Sequence, residues 1–251
     1  MGLEVDGIPP PPQRRTSDAI ATTVAGEQTS LPASVRVGDA DVVLWPEGQR
    51  VEPLSAPLMA ITRFDDRARY HGDLVATILE MERDPAYRMW IFKGGCGMKV
   101  RRPDQWRRPA ADLIHGRAIS FAHRVLSRSD VFTDDCWANV YRDGQYCMPH
   151  SHVRSNVSIV YLLDPGDPDP DDAMAGKLIF ADPRIPYCCP QEAGRVTALM
   201  VPDLLEGTMI VFASDYLHSV NPYRGARPRM SMSWNITLAR LPGQADEEWR
   251  A

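Results

Sequence analysis

The amino-acid sequence predicts a mainly β fold with flanking helices, a barrel or sandwich, on three observations. After Ser129, strand-sized apolar or alternating runs follow one another with Gly, Pro and Asp between them, and many short strands at turn-sized intervals build rolled or stacked sheets. Helical spacing is confined to two segments ahead of that point. The last run alternates strictly, with Arg229, Ser231, Ser233 and Asn235 on one face and Met230, Met232, Trp234 and Ile236 on the other. In a barrel that holds a ligand, such a polar face is the inner one.

Taken in order, residues 1–30 carry "PPPPQRR" and small polar residues. They hold too few large apolar side chains to offset the entropy of ordering, so a disordered tail is expected. The remainder, 31–251, reads as a single domain in which 31–130 supports a core at 131–240. Short β-like runs appear at Val35–Val37 and Asp41–Trp45. In "DLVATILEMER" the stripe is Leu74, Val75, Ile78 and Leu79; in "ADLIHGRAISFAHRVLSR" it is Leu113, Ile114, Ala118, Phe121, Ala122, Val125 and Leu126. Both segments predict amphipathic helices covering a sheet. The strands follow as "CWANVYR", "VSIVYLL", "GKLIFA", "VTALMV", "GTMIVFA" and "RMSMSWNITL". The acidic stretch from Asp164 to Gly176 is interleaved with proline and reads as a solvated loop rather than a calcium site.

Bulk properties exclude some functions. The 251 residues have a formal charge of -5, which argues against a general nucleic-acid binder or a binder of anionic membranes. No apolar run approaches a membrane span. Five cysteines at irregular spacing, two of them the vicinal Cys188 and Cys189, do not make a disulfide framework. A reducing, cytoplasmic setting is expected.

The chemistry concentrates in "YCMPHSHVRSNVSIVYLL". Side chains two apart on a strand emerge on one face, so His150 and His152 can converge on one atom, and neutral imidazoles at that spacing suit Fe, Zn, Cu or Ni. An H-x-H pair on the solvent side of a strand has the same spacing. A third histidine, His218, follows the apolar run "GTMIVFA". On the strand before the pair, Trp137, Asn139 and Tyr141 share a face, and Asp143-Gly144 offers a turn toward His150. Tyr141 and Asn139 are thus placed to hydrogen-bond near a metal. Cys147 and His150 form C-x-x-H without a matching second cysteine pair, which is insufficient for structural zinc. His71, His115 and His123 lie in or beside the predicted helices and read as surface or packing residues.

The order of tyrosine, D-G turn, histidine pair, β-rich interval, histidine and Arg-x-Ser resembles the Fe(II)/2-oxoglutarate-dependent oxygenases, whose pattern is H-x-D or H-x-E, a distal His, and Arg-x-Ser. The stretches "NVYRDGQYCMPHSHVRSNVSIVYLL", "GKLIFADPR", "EGTMIVFASDYLHSVNP" and "RPRMSMSWNI" are similar to a bacterial and phage branch related to prolyl hydroxylases. The resemblance spans Trp137 to Ile236; the first half resembles no family that can be named.

This resemblance implies a double-stranded β-helix (jelly roll, cupin-like) core, Fe(II) as metal and 2-oxoglutarate as cosubstrate. It implies His150 and His218 as iron ligands, Arg229 gripping the distal carboxylate of 2-oxoglutarate with Ser231 beside it, and Tyr141 and Asn139 at the cosubstrate. Arg184 of "DPR" would either approach the substrate or brace a turn, the structural role being favoured. The implied reaction oxidises a C-H bond of a small molecule or an amino-acid or peptidyl side chain, with 2-oxoglutarate and O2 converted to succinate and CO2. Val157, Ile159, Val211 and Phe212 are expected to build an apolar barrel wall. The departure is His152, where the family places a carboxylate. Either His152 is the third ligand, or another carboxylate such as Asp215 completes the shell, or the position is open to water or halide. Asp215 is three residues from His218, on the opposite face of a regular strand, which favours His152. Two alternatives accompany this reading: a three-His cupin-like dioxygenase that does not use 2-oxoglutarate, and a non-catalytic ligand-binding barrel. Substrate identity and oligomeric state are not readable from the sequence.

Overall fold

The structure, a computed structural model, describes residues 32–55, 59–91, 95–181 and 199–238. The expected tail at 1–30, Arg184 and the Cys188-Cys189 pair lie outside the described residues. Seven strands and two helices come first: β1 Ser34–Val37, β2 Ala40–Val43, β3 Glu52–Ser55, β4 Met59–Arg63, α1 His71–Arg83, β5 Arg88–Trp90, β6 Gly95–Cys96, β7 Met98–Arg101 and α2 Pro109–Leu126. Eight strands follow: β8 Phe132–Tyr141, β9 Tyr146–His150, β10 Val157–Asp164, β11 Leu178–Ala181, β12 Leu199–Met200, β13 Thr208–Ala213, β14 Leu217–Val220 and β15 Arg229–Thr237.

β1 and β2 pair as a separate hairpin. The large sheet has the order β3-β4-β13-β10-β15-β8-β7-β5, and the small one β12-β11-β14-β9-β6. From β8 onward the chain alternates between them: β8, β10, β13 and β15 lie in the large sheet, β9, β11, β12 and β14 in the small. The result is a double-stranded β-helix, as expected. The first half does more than cover it, because β3 and β4 extend one edge of the large sheet, β7 and β5 the other, and β6 closes the small sheet.

Pleating gives each strand of the large sheet two destinations. Val140, Ile159, Val211, Met232 and Trp234 point to the helices, where they pack with Leu74, Ile78, Leu113, Ile114 and Phe121. The opposite face closes over the small sheet, with Leu162, Ile210 and Phe212 against Leu178 and Phe180. All nine residues of β15 are buried because both of its faces are covered. Each large apolar side chain so placed contributes about 1.5–3 kcal/mol. This arrangement corrects the expected barrel wall: Val157, Ile159 and Val211 belong to the helix-side core, and of the four only Phe212 faces inward.

α2 starts with Pro109, whose missing N–H would be unpaired at a first turn in any case. It ends at Ser127 in the left-handed region (φ 52). Its stripe contains one cation. Arg117 is fully buried and clasps Asp66 through two hydrogen bonds of 2.8 and 2.6 Å, donating also to the carbonyls of Leu44 (3.1 Å) and Val43 (2.9 Å). It reaches the Tyr70 hydroxyl at 2.9 Å, which bonds Tyr161 of β10 at 3.0 Å. His71 joins the same Tyr161 hydroxyl and Glu206, so it is a packing residue. His115 receives the indole N–H of Trp234 at 3.0 Å. Among the described residues no helix is long and apolar enough to cross a membrane.

Candidate metal centre

The turn at Asp143-Gly144 forms as the sequence predicts. Gly144 takes φ 76, and its N–H donates to the Tyr223 carbonyl at 2.7 Å, which aims β9 into the small sheet. β9 then pairs with β14 so that His150 and His218 are Cα partners, with an irregularity before Val220 meets Cys147. His152 lies just past the end of β9, where its backbone N–H donates to the Ser214 carbonyl at 2.8 Å.

The three imidazoles face one cavity between the sheets. Their candidate ligand atoms all lie within 4.8 Å of one another, and they are the one such group among the described residues. Ring centroids are 4.3 Å apart for His150 and His218, 5.0 Å for His150 and His152, and 5.2 Å for His152 and His218. The Nδ1 of His150 lies 2.8 Å from the Met148 carbonyl, and that of His218 lies 2.9 Å from the Tyr216 carbonyl. A carbonyl only accepts, so in both rings Nδ1 carries the proton and Nε2 is left with its lone pair, the tautomer a metal requires. Burial lowers the pKa of all three. His218 falls to about 4, with His150 as the next cause, and His152 to about 3, with His218 and His150 as the next causes. They are therefore neutral donors at physiological pH. Asp215 is exposed, at the turn between β13 and β14, and is not part of the group.

The polar face of β15 lines the same cavity. Asn139 joins β8 to β15, donating to Ser233 at 3.1 Å and Ser231 at 3.4 Å while accepting the Trp137 indole N–H at 3.0 Å. Both ends of its amide are thus engaged by the protein. Asn235 accepts from Ser158 at 3.0 Å and meets the Nδ1 of His152 at 3.4 Å. At the other end of β15, Arg229 is buried opposite its ladder partner Tyr141, its guanidinium carbon 5.8 Å from that ring. Among the described residues, Arg229 Nη1 is buried without a hydrogen-bond partner. Burying a cation with an open N–H is unfavourable, and a carboxylate is the group that fills a guanidinium edge. Tyr141 is held by close packing: a Cβ on Gly97 would stand 2.6 Å from its Cε1. Burial raises the Tyr141 phenol above its ordinary range, with the Cys147 thiol the next cause.

One lining residue escaped the sequence reading. Lys99 of β7 is the ladder partner of Asn139 and points into the cavity, its Nζ 3.9 Å from the Trp137 ring centroid. The available signal was slight: β7 is four residues long, and lysine is rare in a chain whose cations are mostly arginine. The acidic loop is a self-contained structure around Arg227, which donates to Asp167 at 2.8 Å and Asp164 at 3.2 Å.

Residues 135–235 match the family model described as "Putative 2OG-Fe(II) oxygenase". No curated protein matches the chain. Among solved structures, the chain is similar to a Pseudomonas putida prolyl-4-hydroxylase, with a TM-score of 0.53 and 18% identity over 71% of this chain and 92% of that one. It is similar to the epimerase SnoN in complex with Fe3+, alpha ketoglutarate and nogalamycin RO, with a TM-score of 0.54 and 12% identity over 74% of this chain and 86% of that one. AviO1 from Streptomyces viridochromogenes Tue57 gives 0.50 and 13%, over 74% and 90%. At these identities the likeness is one of fold. Residues 135–235, most of the rolled core from β8 to β15, are thus the part of the chain that is similar to the Fe(II)/2-oxoglutarate-dependent oxygenases.

Proposed function

We propose that the protein is a non-haem Fe(II)/2-oxoglutarate-dependent oxygenase of hydroxylase type, with iron held by His150, His152 and His218 and the distal carboxylate of 2-oxoglutarate by Arg229. The observation that carries this reading is the sharing of one cavity by three neutral imidazoles and a buried guanidinium with an open N–H. Iron and 2-oxoglutarate would together supply the activation of dioxygen, with release of succinate and CO2.

The chain's own residues do the rest. The carbonyls of Met148 and Tyr216 hold two imidazoles with Nε2 inward. Arg229 would hold the far carboxylate of the cosubstrate, for which its planar fork is suited, and Ser231 and Tyr141 flank Arg229 on β15 and β8. Asn139 clamps the serines of β15 and so positions that strand. Leu178, Val160 and Phe212 line the same cavity with apolar surface. Three imidazoles bring no negative charge, so this centre is one charge more positive than one with an H-x-D pair.

The substrate side of the proposal is a small molecule or a peptidyl side chain, within one oxygenase domain at 31–251. The free thiols of Cys96, Cys136 and Cys147 support a reducing, cytoplasmic setting. Anaerobic addition of Fe(II) and then 2-oxoglutarate tests the reading through the metal-to-ligand charge-transfer band of the chelate. The band is expected in the wild type and absent in Arg229→Ala. A three-His dioxygenase that ignores 2-oxoglutarate would bind iron, show no band, and lose nothing on that substitution.

A further inference from the structure

We propose that Lys99 forms a second anion subsite beside the imidazole trio, and that it receives a carboxylate of the primary substrate, which is therefore an acid. This inference rests on the oxygenase reading above.

Four observations carry it. Lys99 is on the inward face of β7, lining the cavity that contains the three imidazoles and Arg229. Its ammonium lies over the face of Trp137, and among the described residues it forms neither a hydrogen bond nor an ion pair. The Trp137 ring beneath it lies in turn 6.0 Å, centroid to centroid, from that of His152, which sets the ammonium beside the imidazoles. Burial lowers the Lys99 pKa, and the groups that partly restore the charge are Asp135 and Cys147. Neither is an adequate partner. Among the described residues the Asp135 carboxyl, pushed up to about 6 by burial and so still ionised at neutral pH, does not come within ion-pair distance of the ammonium, and the Cys147 thiol lies 3.6 Å from the Nδ1 of His150.

A half-buried ammonium with no anion in contact is unfavourable. Arg229 shows the same deficiency at the other end of the cavity, where the distal carboxylate of 2-oxoglutarate would fill it. That cosubstrate has one further carboxylate, which would be engaged by the metal and so unavailable to Lys99. The two negative charges of 2-oxoglutarate offset those of Fe(II), and the neutral imidazoles add none. Arg229 and Lys99 would then remain as excess positive charge in one cavity. An acid group on the primary substrate supplies the missing anion, and a compact, rotatable ammonium suits a ligand that must enter and leave. The Trp137 face under Lys99 holds the cation in place between ligands.

The test needs no knowledge of the natural substrate. Acetate, with acetamide as its neutral counterpart, is titrated anaerobically into the Fe(II)–2-oxoglutarate form, and relaxation of its methyl protons by the paramagnetic iron is read. Acetate is expected to show saturable enhancement with the charge-transfer band intact, and acetamide none. Lys99→Met is expected to keep the band and weaken acetate by about tenfold or more. Equal behaviour of acetate and acetamide in the wild type overturns the proposal whatever the variant does, as does undiminished acetate binding by Lys99→Met. Bleaching of the band by acetate, or its loss in Lys99→Met, assigns Lys99 to the cosubstrate instead. A wild type with no band at all defeats the oxygenase reading itself, and the subsite with it.

Discussion

His150 and His218 face each other as ladder partners on β9 and β14, and each binds through Nδ1 the backbone carbonyl two residues behind it. The same local bond thus orients both rings from opposite strands, before any metal arrives. Replacing either by Ala is expected to lower Fe(II) or Co(II) affinity by well over about 100-fold, more than loss of an outer hydrogen bond does. Asp215→Ala should leave it unchanged, and His152→Asp should retain a site with one more negative charge. Calorimetric titration of the four variants checks this; a large loss in Asp215→Ala would mean that the exposed carboxylate reaches the metal.

Arg229→Gln removes the charge while keeping a polar side chain of similar reach. Truncating one partner of a buried charge pair costs about 2–5 kcal/mol, so 2-oxoglutarate should bind roughly 30-fold to several thousand-fold more weakly, with metal affinity preserved. Equilibrium titration of the anaerobic iron form gives both constants.

Asn235 controls the third imidazole. With its oxygen toward Ser158, its amide nitrogen faces His152 Nδ1, which leaves the ring proton on Nε2. Turned over, the amide accepts from Nδ1 and donates to Ser158, whose hydroxyl still has Ser214 at 2.9 Å. Only the second arrangement frees Nε2 for a metal. Asn235→Asp, an acceptor on both sides, should bind metal at least as well as the wild type, whereas Asn235→Leu should lose about 10–100-fold. Equal losses in both would show that the residue only fills space.

The lowered pKa values of His152 and His218 make the metal-free protein acid-sensitive. Below pH 6.5 the unfolded chain takes up protons at these sites while the folded chain, at about 3 and about 4, does not. Stability present above 6.5 is therefore lost as pH falls. Between pH 7 and 5 the loss is about 2 kcal/mol for each ring. Urea unfolding at the two pH values, compared with His152→Gln, isolates the share of that ring; an unchanged pH slope in the variant would contradict its burial.

Arg117→Met tests the other face of the sheet. It leaves Asp66 and two carbonyls without their donor, and removing one member of a buried pair costs about 3–5 kcal/mol; partial exposure of Asp66 puts the expectation at the lower end. Denaturation should register this loss while the metal affinity of the folded protein is unchanged.

What was legible in the sequence follows from contrast between faces. β15 separates polar from apolar residues at every step, so its two sides, and Arg229 with them, could be read directly. β10 and β13 are apolar on both sides, and period-two reasoning gives no sign there: Ile159 and Val211 went to the helices while Val160 and Phe212 faced the cavity. Arg117 sits at a core position of the α2 stripe, four residues after Leu113, and charge alone removed it from the expected packing set. Lys99 was missed because its inward direction depends on pairing with β8.

That pairing has an implication for any attempt to isolate the recognised segment. β7 supplies β8 with its outer neighbour, and β4 does the same for β13. A fragment beginning at residue 131 would expose two long unpaired backbone edges, an invitation to intermolecular strand addition. The N-terminal half is thus no detachable accessory: fusions, swaps and minimal versions of this chain must carry it along to stay monodisperse.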